Sequence, residues 1–281
     1  MSIPRSHRVI VCRGGDRTEV EERPLIPPQT GELLLKVRVV GLCGTDLFKL
    51  DNGTVTSGTV LGHELVGEVA GIGDGVTGFR DGDRIAVPHH VACGQCALCR
   101  RGAVTMCEVF KENLLAPGGF ADHVVVKARA TSHAARKLPD DLADEVAVFM
   151  EPAACVLRGV HHANVEPNGV AVVQGGGAMG LLHLLVLRAV HPGLRIVVID
   201  PVDERRRLAR TLGAEAAACP GDEAYRASME MSDGLGADAV FDTVGGAPLL
   251  DTALALIRQG GAVVLFAHAS EGERAAFALN T

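Results

Sequence analysis

The feature that most restricts what this chain can fold into is a run of three glycines between two apolar segments. VAVVQ (170–174) reads as a strand buried on both faces, and AMGLLHLLVLRAV (178–190) is apolar almost all round, as a buried helix is. Gly175, Gly176 and Gly177 join them, and with Ala178, Met179 and Gly180 they spell G-x-G-x-x-G. Glycine-rich turns are common, but one that follows a buried strand and opens a buried helix marks a dinucleotide-binding βαβ unit. There Gly175 permits the tight turn, Gly177 lets a pyrophosphate approach the backbone, and Gly180 lets helix and strand pack closely. The helix N-terminus, from Ala178 and Met179 onward, offers unpaired N–H groups and a partial positive charge to the phosphates.

Asp200 ends the next apolar run, 20 residues after Gly180, where a carboxylate accepts both ribose hydroxyls and repels a 2′-phosphate. That points to NAD rather than NADP. The plainer alternative for Asp200 is a cap or turn residue, and Arg205, Arg206 and Arg207 offer charge that a 2′-phosphate could use.

The second half repeats the same grammar. RIVVI (195–199), a stretch near 215–219, ADAVFDTVG (237–245) and GAVVLFAH (261–268) read as strands. ERRRLARTLGA (204–214) and PLLDTALALI (248–257) read as helices between them, so the expected fold is an α/β, doubly wound parallel sheet. The first half differs. LLLKVRVVGLCG (33–44), ELVGEVAGIGDGV (64–76) and GDRIAVPHH (82–90) are short apolar runs broken by Gly and Asp, with little helical period, and predict a β-rich, barrel-like domain. DEVAVFMEPAACVLRGVHHA (144–163) predicts the linking helix, which places the domains at 1–151 and 152–281.

Length and charge agree with two globular domains: 281 residues, 47% hydrophobic and 22% charged. With 27 Lys and Arg against 34 Asp and Glu, no run of basic residues offers a track for a phosphate backbone, so nucleic acid is not an expected partner. No stretch approaches the ~18 apolar residues that span a bilayer, and the N-terminus lacks a secretory apolar core. A cytoplasmic setting without a membrane partner is expected. Reducing conditions then favour metal or catalytic roles for the eight cysteines over disulfides.

Cys93, Cys96, Cys99 and Cys107 form C-x2-C-x2-C-x7-C. Two-residue spacers let successive thiolates turn onto one tetrahedral ion, and four thiolates leave it no open position, which predicts a structural zinc. Cys12, Cys155 and Cys219 have no partnered spacing and read as small apolar residues.

A second constellation lies upstream. Gly41-Leu42-Cys43-Gly44-Thr45-Asp46 is followed by Gly62-His63-Glu64, and Glu151 opens Glu-Pro-Ala-Ala-Cys (151–155) in an apolar stretch. A lone cysteine, a lone histidine or a helix-face carboxylate is ordinarily structural. Together, thiolate, imidazole and carboxylate can hold Zn²⁺ and leave a place for substrate. Asp46 is placed to accept the free ring N–H of His63 and fix its tautomer, and Thr45 to hydrogen-bond an oxygen on the metal. His89 and His90, just before the cysteine lobe, read as surface or packing residues.

These motifs, in this order, resemble the zinc-containing medium-chain dehydrogenases of the alcohol dehydrogenase superfamily, most closely the polyol and threonine dehydrogenase branch. The resemblance covers the entire chain. It implies a GroES-like catalytic domain followed by a Rossmann domain, two zinc ions, NAD, and reversible hydride transfer between an alcohol (secondary alcohol, polyol or amino alcohol) and a carbonyl. It also implies Cys43, His63 and either Glu64 or Glu151 as catalytic-zinc ligands, with the two acids exchanging, and Thr45 as the hydroxyl that relays the substrate proton. Many relatives place a histidine five residues after the ligand cysteine, as the outer end of a proton wire. This chain has Phe48 there, so the proton is expected to leave Thr45 by way of the cofactor ribose and water.

Members of the family run longer, into a sixth sheet strand and a return to the first domain. The resemblance therefore implies a second sheet cut short at its C-terminus, with SEGERAAFALNT (270–281) as the run-up to the sixth strand. A homodimer or homotetramer is expected where that C-terminal region is present. Two other readings follow: an inactive zinc- and NAD-binding fragment or pseudoenzyme, and an aldehyde or ketone reductase preferring NADPH.

Overall fold

A computed structural model describes residues 3–267 and 272–276 of the chain. It divides into two compact units, Met1–Glu151 and Pro152–Thr281.

The first unit is built on β-structure. β1 (Ser6–Gly14) and β2 (Arg17–Pro24) form an antiparallel hairpin. β3 (Leu33–Gly41), β4 (Glu64–Ile72), β5 (Arg84–Val87), β6 (Leu115–Ala116), β7 (His123–Val126) and β8 (Arg136–Lys137) form a six-stranded sheet in the order β6-β7-β3-β4-β5-β8. Its neighbours are antiparallel. The period-2 alternation of branched residues explains the choice: Leu33, Leu35, Leu65, Val69, Ile85 and Val124 share one buried cluster.

Three short helices lie between these strands, α1 (Gly44–Asp51), α2 (Ala97–Arg100) and α3 (Ala128–His133), and α4 (Asp144–Ala147) follows β8. The strand expected over 33–44 ends at Gly41, because the extended backbone of Cys43 caps α1. Its buried residue is Asp46, while Leu47 and Phe48 are exposed, so the segment carries no apolar stripe from which a helix could be read. The expected helix 144–163 is likewise two: α4 stops at Ala147 and α5 (Met150–Ala163) begins three residues on. Asp144 is held there by Arg38 (2.6 Å) and Arg84 (2.7 Å). This clamp ties the approach to α5, and hence Glu151 in its first turn, to β3 and β5.

The second unit is a five-stranded parallel sheet in the order β11-β10-β9-β12-β13. In chain order it runs β9 (Val170–Gln174), α6 (Ala178–Val190), β10 (Arg195–Ile199), α7 (Asp203–Thr211) and β11 (Ala216–Ala218). It continues through α8 (Asp222–Met231), β12 (Ala237–Asp242), α9 (Ala247–Leu256) and β13 (Ile257–Leu265). Strand order reverses between β9 and β12, which is where a doubly wound sheet binds its ligand. Ala171 and Val173 pack into one core cluster while Val170 and Val172 pack into another, as expected of a strand covered on both faces. α8 carries no apolar stripe that would predict a helix, since DEAYRASMEM is largely polar and buries only a narrow face at Ala224 and Ser228. β13 starts at Ile257, four residues before the expected 261, across an irregularity opposite β12. Most of the 270–281 tail lies outside the described residues, and 272–276 form neither helix nor strand.

Candidate metal centre and dinucleotide turn

The register of two strands assembles the first site. β3 and β4 pair so that Gly41 faces Glu64, the last residue of one strand against the first of the other. Cys43 follows two residues after Gly41, and His63 precedes Glu64. The ladder therefore gathers a thiol, an imidazole and a carboxylate whose ligand atoms all lie within 4.8 Å of one another. Gly62 makes the turn into β4 with φ +88°, and a Cβ there would meet the backbone nitrogen of Phe120 at 2.8 Å.

The surroundings tune this trio. Thr45 Oγ1 donates to Cys43 Sγ at 3.1 Å. Asp46 is 1% exposed, and its Oδ1 stands 3.4 Å from His63 Nδ1, longer than a regular hydrogen bond. Burial disfavours the charged His63, yet Asp46 and Cys43 outweigh it and raise its pKa to about 10. Both carboxylate oxygens of Asp46 lack a regular partner among the described residues, an arrangement suited to an imidazole drawn closer by a cation on its other nitrogen. The donor set fits zinc: three protein ligands leave one position of a tetrahedral ion for a substrate oxygen.

Glu151 lies outside the trio, with Oε1 3.9 Å from His89 Nδ1. The His89 ring lies tilted against those of His63 (centroids 4.5 Å) and His90 (3.6 Å), and His90 contacts Phe110 (5.5 Å). Burial, with the charges of His90, His63 and Lys49, drives the His89 pKa down to about 2. A surface or packing role is what the sequence predicts for His89 and His90. They do pack, but beside the candidate ligands, and the only signal was an adjacent His pair at the end of a strand. Phe48 is on α1 and 42% exposed.

The second cluster is compact. Cys93, Cys96, Cys99 and Cys107 bring four sulfurs within 4.8 Å of one another, all as free thiols. Cys96 Sγ caps α2 by accepting the Cys99 N–H at 3.5 Å, and Cys107 Sγ accepts the Cys93 N–H at 3.4 Å. Backbone N–H groups of Gln95 and Cys96 pull the Cys93 thiol down to about 6, while burial and neighbouring sulfurs push Cys99 up to about 11. Four sulfurs so close can all be thiolates only around a cation, and zinc suits an all-sulfur tetrahedron.

In the second unit, the glycine turn has the geometry its three positions require. Gly175 has φ +95°, and a Cβ on Gly180 would overlap the Gly175 carbonyl oxygen. A Cβ on Gly177 would meet nothing within 4 Å, so that face is open for a ligand to reach the backbone. Ala178 and Met179 form the first turn of α6. Asp200 is 2% exposed and works within the fold: Oδ2 accepts the Gly176 N–H at 2.7 Å and Oδ1 the Val202 N–H at 2.8 Å. Arg205 is 3.5 Å from Asp200, Arg206 donates to the carbonyls of Asp200 and Pro201, and Arg207 pairs with Asp203. Of the remaining cysteines, Cys12 is buried, Cys219 half-buried and Cys155 exposed. No helix among the described residues is long and apolar enough to cross a membrane.

Comparison with known proteins agrees with this arrangement. The profile of the alcohol dehydrogenase GroES-like domain matches residues 29–139, and that of the zinc-binding dehydrogenases matches residues 178–281. The D-altritol 5-dehydrogenase of Agrobacterium fabrum is 33% identical over 258 residues, 89% of this chain and 73% of that one. The L-threonine 3-dehydrogenase of Pyrococcus horikoshii is 31% identical over 266 residues, 92% of this chain and 74% of that one. Among solved structures, a short chain alcohol dehydrogenase of Escherichia coli CFT073 complexed with NADH aligns with a TM-score of 0.84 and 29% identity, covering 97% of this chain and 80% of that one.

Proposed function

The chain belongs to the zinc-containing medium-chain dehydrogenases of the alcohol dehydrogenase type, and within that family we propose that it interconverts a secondary alcohol, polyol or amino alcohol and the matching carbonyl with NAD. The observation that carries this reading is the convergence of Cys43, His63 and Glu64 beside the Thr45 hydroxyl. When bound, zinc supplies a Lewis acid for an alcohol oxygen, and NAD accepts the hydride.

The residues divide the remaining work. Cys43, His63 and Glu64 hold the catalytic ion, with Glu151 as the acid able to exchange with Glu64. Asp46 keeps the proton on His63 Nδ1, leaving Nε2 to face the metal. Thr45, freed from Cys43 Sγ, relays the proton of the substrate hydroxyl, accepting it as it passes its own hydroxyl proton on to water. Cys93, Cys96, Cys99 and Cys107 hold a second, structural ion. Gly175, Gly177 and Gly180 with Ala178 and Met179 receive the pyrophosphate, and the lone pairs of Asp200 not used by backbone N–H groups accept ribose hydroxyls. The relatives named as altritol and threonine dehydrogenases support a substrate bearing a secondary hydroxyl.

The test combines metal content with turnover. Zinc per chain should be two in the unaltered protein and one in Cys43→Ser. NAD-linked oxidation across polyols, amino alcohols and simple secondary alcohols should exceed NADP-linked oxidation and vanish in Cys43→Ser. Two zincs with no turnover on any of them would instead favour the inactive reading, and faster reduction of carbonyls with NADPH the reductase reading.

A further inference from the structure

The four-cysteine lobe leaves the first sheet from β5 and returns to it at β6, and these strands are not neighbours: β4, β3 and β7 lie between them. Strand pairing therefore does not bring the two ends of the lobe together. One backbone bond does so, from the Leu114 N–H to the His89 carbonyl at 2.9 Å. Nearer the sulfurs, the tie is a side chain. Arg129 on α3 donates through Nε to the Val91 carbonyl at 3.0 Å and through Nη2 to the Val109 carbonyl at 2.9 Å. Val91 lies two residues before Cys93, and Val109 two residues after Cys107. One guanidinium thus grips the chain on both sides of the ligand set.

The clip has a firm base. Ala130 is fully buried in one core cluster with Val91 and Leu114, and Thr131 Oγ1 donates to the Val126 carbonyl at 3.2 Å, so α3 is fastened to the sheet. The guanidinium is planar, and its Nε–H and Nη2–H hold two acceptors at a fixed separation, which a lysine ammonium cannot do. Lobe ends left free would have to be brought together by the ion's own bonds, whose free energy would then go into closing the loop rather than into affinity. We infer that Arg129 is a positioning residue for the four-cysteine site: it fixes the chain on both sides of the ligands, so the sulfurs are gathered before the ion arrives and the ion is held longer afterwards. This rests on the reading of Cys93, Cys96, Cys99 and Cys107 as zinc ligands.

The test follows zinc release from the full chain into a chromogenic chelator. Cys43→Ser removes the catalytic ion, so the phase that remains in it belongs to the lobe. Arg129→Met keeps the length of the side chain and removes the fork. It should speed release from the lobe about 10–100-fold, the scale on which partners of metal ligands act, and leave release from the catalytic site unchanged. Glu112→Gln removes the ion pair that Arg129 also makes, at 2.8 Å, but neither carbonyl contact, and should release zinc as the unaltered chain does. Arg129→Lys keeps the charge without the fork and should behave as Arg129→Met does. Four outcomes overturn the inference alone: lobe release unchanged in Arg129→Met, restored in Arg129→Lys, equally fast in Glu112→Gln, or accelerated no more than release from the catalytic site, as general loosening would do. Zinc content unaffected by Cys96→Ser overturns the reading of the lobe as a zinc site and the inference with it.

Discussion

Gly41 and Glu64 face each other across the β3–β4 ladder, and the space a methyl group would need on Gly41 is occupied by the Glu64 carboxylate. The backbone at Gly41 does not demand glycine, since its φ is not in the left-handed region. What demands it is the acid. Gly41→Ala is therefore expected to push the end of a flexible side chain aside and leave the sheet intact. Thermal stability should change by less than about 1 kcal/mol, while affinity for the catalytic zinc falls about 10–100-fold as Glu64 leaves its place. Zinc analysis after dialysis against a weak chelator, beside a melting curve, separates the two effects. A Gly41→Ala protein that keeps both zincs would show that Glu64 does not need this space.

His63 makes metal uptake depend on pH. Without metal its pKa is held at about 10 by Asp46 and Cys43 against the opposing effect of burial. The proton thus stabilises the metal-free fold fully below the ordinary histidine value of 6.5, and this contribution is lost as pH rises through about 10. Zinc needs the neutral ring, so binding at pH 7–8 must release that proton, and affinity should climb with pH across the interval. Asp46→Asn removes the main attraction holding the proton. Calorimetry in buffers of different ionisation enthalpy should count about one proton fewer released per catalytic zinc in Asp46→Asn. Equal counts would mean that Asp46 does not govern His63.

Asp200, the proposed ribose acceptor, has a second part in the fold itself. Its oxygens close the glycine turn onto the end of β10 through the N–H groups of Gly176 and Val202. Asp200→Ala leaves both donors without their acceptor, at a cost of about 1–3 kcal/mol before any cofactor is present. The cofactor-free variant should melt at a lower temperature, and its affinity for NAD should fall further than for a loss of ribose contacts alone. An unchanged melting temperature with weakened NAD binding would reduce Asp200 to a ribose ligand.

Legibility in the sequence followed burial. β9, α6 and β10 begin and end where the apolar runs do, because both faces of that sheet are covered and continuous hydrophobicity leaves little choice of register. α1 and α8 were hidden for the opposite reason: each buries a narrow face, Asp46 in one and Ala224 with Ser228 in the other, so no 3.6-residue stripe appears. The cysteine lobe was legible because its donors are close along the chain. The trio was legible only as two separate motifs, since the β3–β4 register that joins Cys43 to His63 and Glu64 is a long-range fact. The grouping of His63, His89 and His90 was not legible at all, because nothing local says which way a histidine after a strand will face.

Buried histidines with depressed pKa values are expected to weaken the fold in acid, and His183 is the clearest case. It is 0% exposed on α6, Nδ1 lies 2.7 Å from the Met179 carbonyl, Nε2 has no regular partner, and the ring lies against Phe241 and Phe266. Burial lowers its pKa below 6.5, only partly offset by that carbonyl. The unfolded chain therefore binds a proton that the folded chain refuses. Stability is full above about 6.5 and is lost as pH falls from there toward the folded value, at about 1.4 kcal/mol per pH unit for one such group. His7 and His123 in the first unit are depressed in the same direction, first by burial, and steepen that unit's own acid limb. His183→Leu removes the titrating ring and both polar nitrogens while keeping an apolar side chain between the phenylalanines. Denaturant midpoints measured from pH 7.5 to 5 should fall less steeply in His183→Leu than in the unaltered chain, by about one proton in slope. Parallel lines across that range would show that His183 is protonated in the fold without penalty.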